Sequence, residues 1–182
     1  NMDADDAVNY GGIGGVIGHE IGHGFDDQGA KYDGNGNLRN WWTEQDKMQF
    51  QARGAKLIGQ YNKFEPLPGL SINGALALGE NIGDLGGMTV ALKAYQLSLD
   101  GKEAPVLDGF SGQQRFFLSW AQVWRSQYRE EALKRQLSTG PHSPAHYRVI
   151  GVLPNIPQFY TAFDIKEGDA MYIAPEQRVK IW

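Results

Sequence analysis

Apolar residues recur at helical spacing through most of the chain, and the pattern predicts a mainly α fold with minor short strands. Residues 7–25 form the first predicted helix, with Asp5 or Asp6 near its N-cap, where a carboxylate meets unpaired amides. Residues 8–18 are apolar and glycine-rich without a charge, the pattern of a buried helix. Glycines at 11, 12, 14, 15 and 18 each cost about 1 kcal/mol against alanine, so they point to other backbone packed closely here. They fit no G-x-G-x-x-G dinucleotide fingerprint.

The second helix is predicted over residues 44–61, opened by the capping pair Thr43 and Asp46. Residues 65–69 break it, and a third helix begins near Asn73-Gly74 and continues to about residue 99. After a Gly, Pro and Asp-rich loop (100–109) comes a helix over 112–136, with Ser111 and Gln114 as its capping box. Phe116, Phe117, Trp120, Val123, Trp124 and Tyr128 recur on it at core spacing, whereas Arg125, Arg129, Lys134 and Arg135 make a solvated face. Residues 139–148 are too punctuated by proline for regular structure. A short apolar run follows (149–153), then a helix capped by Asn155 with Pro157 in its first turn, ending near 163. The tail, 171–182, reads as irregular or short strand that docks its aromatic end.

Composition narrows the function. The chain has 182 residues, 41% of them apolar and 21% charged, which suits one domain with a real core. A net charge of −4 offers no basic surface, so nucleic-acid binding is not expected. With no cysteine, neither a disulfide framework nor a thiolate metal site is available, and any metal is held by histidine and carboxylate. No run approaches the 18 or so apolar residues of a membrane span. A helix beginning within a few residues of Asn1 is the expectation for a piece of a longer protein.

The chemistry centres on His19-Glu20-Ile21-Gly22-His23, a match to H-E-x-x-H. Residues i and i+4 share a helix face, so His19 and His23 can both reach a zinc ion about 2.0–2.1 Å from each ring nitrogen. Glu20, beside the first ligand, is placed to take a proton from a metal-bound water. A surface helix can carry these residues for solvation alone. The uncharged segment before them favours burial, and buried imidazoles need a partner such as a metal. Glu80 and Asp84, also i and i+4 on a largely apolar helix, repel each other unless a cation or cationic partner sits by them. Asp33, Asn35, Asn37 and Glu44 imitate a calcium loop, but the required glycine is Leu38, and Asn-Gly turns explain the segment. The remaining histidines, His142 and His146, fall in the proline-punctuated stretch.

Together these segments resemble the catalytic C-terminal portion of the neprilysin family of zinc endopeptidases, over essentially the whole chain and in order. The matching stretches are residues 9–14 and 16–29, Gly79-Glu80-Asn81-Ile82-Gly83-Asp84, and His142-Ser143-Pro144 with Arg148, in a chain ending in Trp182. The resemblance implies a zincin-type helical metalloprotease catalytic domain holding one zinc ion through His19, His23 and Glu80. Glu20 would be the general base and proton shuttle, and Asp84 would accept the free ring N–H of a ligand histidine. His142 would stabilise the oxyanion and Arg148 would bind a substrate carbonyl, with Asp26 positioning part of the network. The substrates implied are oligopeptides, with an apolar residue favoured after the scissile bond. The sequence departs from the family at Gly22 for threonine, at Gly140 where an aspartate is usual, at His146, and in lacking a cysteine near the C-terminus. The last points to bacterial members, in a periplasmic, secreted or membrane-tethered setting. The family's upstream helical lobe is expected in the same protein or a complementary chain. The alternative is a zinc-holding but inactive binding or assembly module.

Overall fold

A computed structural model describes residues 3–182. Helix α1 (Asp6–Asn9) runs through a π-helical turn (Tyr10–Gly14) into α2 (Gly15–Gly22), and a 3-10 turn (His23–Phe25) ends this continuous element. Then come α3 (Glu44–Tyr61), α4 (Leu78–Ser98), α5 (Gly112–Val123), α6 (Glu130–Thr139), α7 (Ala145–Ile150) and α8 (Pro157–Phe163). Among the described residues, β-structure is confined to three isolated bridges, and no helix is long and apolar enough to cross a membrane. The fold is mainly α, as the periodicity predicts.

The core forms where α4 is sandwiched. Ile82, Leu85, Met88, Leu92 and Tyr95 of α4 pack with Leu57 and Tyr61 of α3, Phe116, Phe117 and Trp120 of α5, and Val179 and Ile181 of the tail. Two glycine sites let the first element approach so closely. A Cβ on Gly11 would lie 2.0 Å from the Phe116 carbonyl oxygen, and one on Gly18 would lie 2.7 Å from that of Gly87. The glycine cluster therefore answers to neighbouring backbone, α5 at one end and α4 at the other.

α3 begins and ends where the pattern predicts, with the Asp46 amide donating to Thr43 Oγ1 (3.1 Å). α5 opens on a complete capping box, Ser111 with Gln114. Other expectations need correction. The third helix starts at Leu78, because Asn73 Oδ1 accepts from the amides of Ala75 and Leu76 and holds a turn before it. The helix predicted over 112–136 is two, broken at 124–129. Beyond Trp124 the next core-facing positions are polar, while Val123 and Tyr128 are exposed. Residues 145–150 are helical, with Pro144 outside the first turn. Asn155 does not cap α8; its buried amide is taken by Gln60 and the Val179 amide (2.7 Å). Asp5 stands at the first N-cap without capping, because its carboxylate pairs with Arg115 (2.8 Å).

The first element is also not buried all round. Ile13, Ile17 and Ile21, one turn apart on one face, are 58%, 54% and 64% exposed. The tail is irregular apart from a 3-10 turn (Pro175–Gln177), and Trp182 stacks on Phe50 with ring centroids 5.4 Å apart.

Candidate functional site

Crossing α2 over α4 at the glycine contact brings the two acidic and histidine motifs together. His19 and His23 are one turn apart, their ring centroids 4.6 Å apart and edge to face. Glu80, on α4, aims Oε2 between them, 3.1 Å from His19 Nε2 and 3.8 Å from His23 Nε2. From the far side His142 Nε2 reaches the same oxygen at 3.0 Å. Glu20 joins the group, since ligand atoms of His19, Glu20 and His23 all lie within 4.8 Å of one another.

Each helix-borne imidazole has a carboxylate behind it. Asp84 Oδ1 lies 2.8 Å from His19 Nδ1, and Asp26 Oδ2 lies 2.8 Å from His23 Nδ1. Asp26 is itself fixed, because its Oδ1 accepts from the amides of Gln28 and Gly29, both at 2.8 Å. Asp84 is fully buried and paired with Arg148, whose Nε and Nη2 donate to its two oxygens at 2.7 Å each. The Arg148 guanidinium lies 3.6 Å over the Trp124 ring, and its backbone carbonyl accepts from Trp120 Nε1. Nη1 of Arg148 makes no hydrogen bond among the described residues.

These contacts fix the tautomers. A ring that donates from Nδ1 to a carboxylate presents a bare Nε2, so His19 and His23 turn lone pairs toward Glu80. Glu80 Oε2 is buried and meets three imidazole nitrogens without a well-formed hydrogen bond among the described residues, two of them the bare Nε2 atoms of His19 and His23. A divalent cation is what this arrangement lacks, and a neutral-imidazole and carboxylate set suits zinc. Burial disfavours a charged His19, but the hydrogen bond that its ring donates to Asp84 and the charge of Asp84 outweigh it, so its pKa lies above the ordinary value. A metal therefore competes with a proton at this ring.

All eight residues singled out in the sequence converge here: His19, Glu20, His23, Asp26, Glu80, Asp84, His142 and Arg148. Glu20 is exposed and His142 half-exposed. Arg148 is more deeply engaged than a substrate ligand alone requires, with two of its three nitrogens spent on Asp84. His146 sits exposed on α7, away from the cluster. The trace of Asp33, Asn35 and Asn37 is turn chemistry, with Asp33 Oδ1 accepting from both asparagine amides. Sequence reasoning missed the buried hydrogen bond between Ser143 and Asn81 and the stacking of Trp124 on Arg148, since no local spacing signals either.

Comparison with known proteins places this arrangement. The family model "Peptidase family M13" matches residues 1–179. Membrane metallo-endopeptidase-like 1 of Mus musculus is 43% identical over 187 residues, covering 100% of this chain and 24% of its own length. Neprilysin of Homo sapiens is 41% identical over 182 residues, covering 97% and 24%. The zinc metalloprotease ZMP1 of Mycobacterium tuberculosis, solved with an inhibitor, is 55% identical and superposes with a TM-score of 0.98 over 100% of this chain and 29% of its own. The chain thus spans about a quarter of the length of the curated relatives it matches. With the family model matched nearly end to end, the fold shared and the motif residues gathered at one point, this chain belongs to peptidase family M13, the neprilysin family.

Proposed function

We propose that this chain is the catalytic portion of a zinc-dependent endopeptidase that hydrolyses oligopeptides. The observation that carries the reading is the convergence of His19 Nε2, His23 Nε2 and the buried Glu80 Oε2, with both imidazoles oriented from behind by Asp84 and Asp26. His19, His23 and Glu80 would hold one zinc ion. When bound, zinc supplies Lewis acidity, polarising a peptide carbonyl and making water more acidic.

The chain's own residues supply the rest. Glu20, unpaired and exposed beside His19, takes the proton of the attacking water and delivers it to the leaving amine. His142 donates from its exposed ring to the oxyanion as the carbonyl carbon becomes tetrahedral. Arg148 offers Nη1 to a substrate carbonyl beyond the scissile bond, while Asp84 holds the rest of its guanidinium. Preference for an apolar residue after that bond is supported by the surface around Arg148, which lies on Trp124 beside the 47% exposed Val123. By relationship to the neprilysins the setting is extracytoplasmic. Full activity requires the remainder of a protein of the relatives' length.

The test is Glu20→Ala. The variant is expected to keep its zinc, measured by metal analysis, and to lose cleavage of a quenched peptide carrying a central apolar residue. A chelator should abolish cleavage by the parent. Unchanged turnover in Glu20→Ala would refute the assignment, and no turnover in a zinc-loaded form of the relatives' length would favour the inactive binding module.

A further inference from the structure

Two adjacent ties join α4 to the segment carrying His142. At the mouth of the site His142 Nε2 meets Glu80 Oε2 at 3.0 Å. One residue further along both strands of chain, Ser143 Oγ donates to Asn81 Oδ1 at 2.8 Å. Both partners of this second tie are 1% exposed, whereas the His142 side chain is 47% exposed. The first tie cannot hold His142 in a working enzyme, because Glu80 is then committed to the metal and the ring must face substrate. The second is untouched by either event.

Asn81 has little other reason to be polar. It lies on the buried face of α4, and its Nδ2 is buried with no partner among the described residues. Leucine there would bury similar volume without an unpaired donor, which costs roughly 1–3 kcal/mol in a protein interior. A hydroxyl both donates and accepts, so the tie forms for either orientation of the amide. The segment has other anchors, but they hold its backbone: Gln136 Nε2 donates to the His142 carbonyl at 3.2 Å, and the Ala145 amide donates to Tyr128 Oη at 3.2 Å.

We propose that Ser143 and Asn81 are positioning residues that hold His142 over the site through their buried hydrogen bond, in place of any side chain at Gly140. The proposal rests on the peptidase reading and deepens it. Since His142 acts on charge that develops only in the transition state, misplacing it lowers kcat and leaves KM nearly unchanged.

The experiment is a double-mutant cycle on the zinc-loaded protein with Ser143→Ala, His142→Ala and the pair. Ser143→Ala is expected to lower kcat roughly tenfold with KM within about twofold, and the double variant to match His142→Ala within about twofold. Asn81→Leu should reproduce the pattern of Ser143→Ala. Multiplying losses in the double variant, or an unchanged kcat in Ser143→Ala, would overturn the proposal. A second readout does not need turnover. The ring 13Cε1–1H resonance of His142, assigned by its absence in His142→Ala, should broaden or double in Ser143→Ala, and an unchanged single line would overturn the proposal. If neither this chain nor a form of the relatives' length shows turnover, the peptidase reading has failed and the resonance alone decides whether the tie orders His142.

Discussion

Asp84 takes three hydrogen bonds on two oxygens, one from His19 and two from Arg148, whereas Asp26 serves His23 with two backbone amides as its other partners and no charged one. The same substitution should therefore act differently at the two positions. In Asp26→Asn the amide oxygen can keep Gln28 and Gly29 while its NH2 faces His23 Nδ1, which forces the proton onto Nε2 and blocks that ligand atom. Zinc affinity should fall about 10–100-fold, by competition with a chelating dye, with little change in the urea midpoint of the metal-free protein. In Asp84→Asn every orientation sets a donor against a donor and leaves the Arg148 charge unpaired, so the metal-free protein should also lose about 3–5 kcal/mol. Equal stabilities of the two variants would show that Asp84 is not a structural ion pair. A smaller electrostatic effect sits in the turn at Asp33, whose carboxyl is held below the usual aspartate range by the Asn37 amide, with burial opposing and Asn35 adding. A depressed folded value means that its contribution to the turn is present above the ordinary value of about 4 and lost as pH falls through the lower one. The amide shifts of Asn35 and Asn37 should thus titrate with a midpoint below that ordinary value, and a midpoint at or above it would refute the turn as its cause.

The crossing of α2 on α4 turns two local motifs into one site, and it depends on backbone contact. A Cβ on Gly87 would lie 2.4 Å from the backbone nitrogen of His19. Gly87→Ala should push α2 off α4, costing about 1–3 kcal/mol as an overpacked core does and separating His19 from Glu80, so that zinc affinity falls with stability. Gly59, exposed in the last turn of α3 with open space around it, is the control. Gly59→Ala should add about 0.5–1 kcal/mol and leave zinc affinity unchanged. Thermal unfolding and zinc titration check both, and a Gly87→Ala protein with normal zinc affinity would show that the crossing does not set the metal geometry. The same distinction explains what could be read in advance. α3 was legible to its last residue because Thr43, Asp46 and an amphipathic run are local signals, and His19, Glu20 and His23 are legible because one helical turn places them. The break after Val123 was not, since Phe116 to Tyr128 keep helical spacing while Trp124 leaves to stack under Arg148. Asn155 looks like a cap and is instead taken by Gln60 and Val179 across the fold. Asn81 and Ser143 acquire their roles only from each other, across a long stretch of sequence, whereas Asp26 finds His23, Gln28 and Gly29 within three residues of itself.

On the scale of the whole molecule, the face of the first element that does not touch α4 is apolar and uncovered. Ile13, Ile17 and Ile21 are each more than half exposed, they follow one helical face, and Ile21 lies between the two histidines in the same turn as the exposed Glu20. A contiguous apolar stripe beside a cluster of polar groups is the signature of a surface that another layer covers. The chain spans about a quarter of its relatives' length, so such a layer has a source in a protein of that length. Covering the stripe would close one side of the site, exclude water and hold a peptide against His142 and Arg148, and positioning of this kind is worth orders of magnitude in rate. The isolated 182-residue chain should therefore bind zinc as tightly as a form of the relatives' length, yet cleave a quenched peptide with kcat/KM lower by roughly a hundredfold or more. Ile17→Asp separates this from a trivial folding defect. Placed on an exposed face, it should leave the thermal midpoint of the isolated chain nearly unchanged while lowering both midpoint and activity of the longer form. Equal efficiency of the two forms, or indifference of the longer one to Ile17→Asp, would mean that the stripe is uncovered in the working enzyme and that these residues complete the site by themselves.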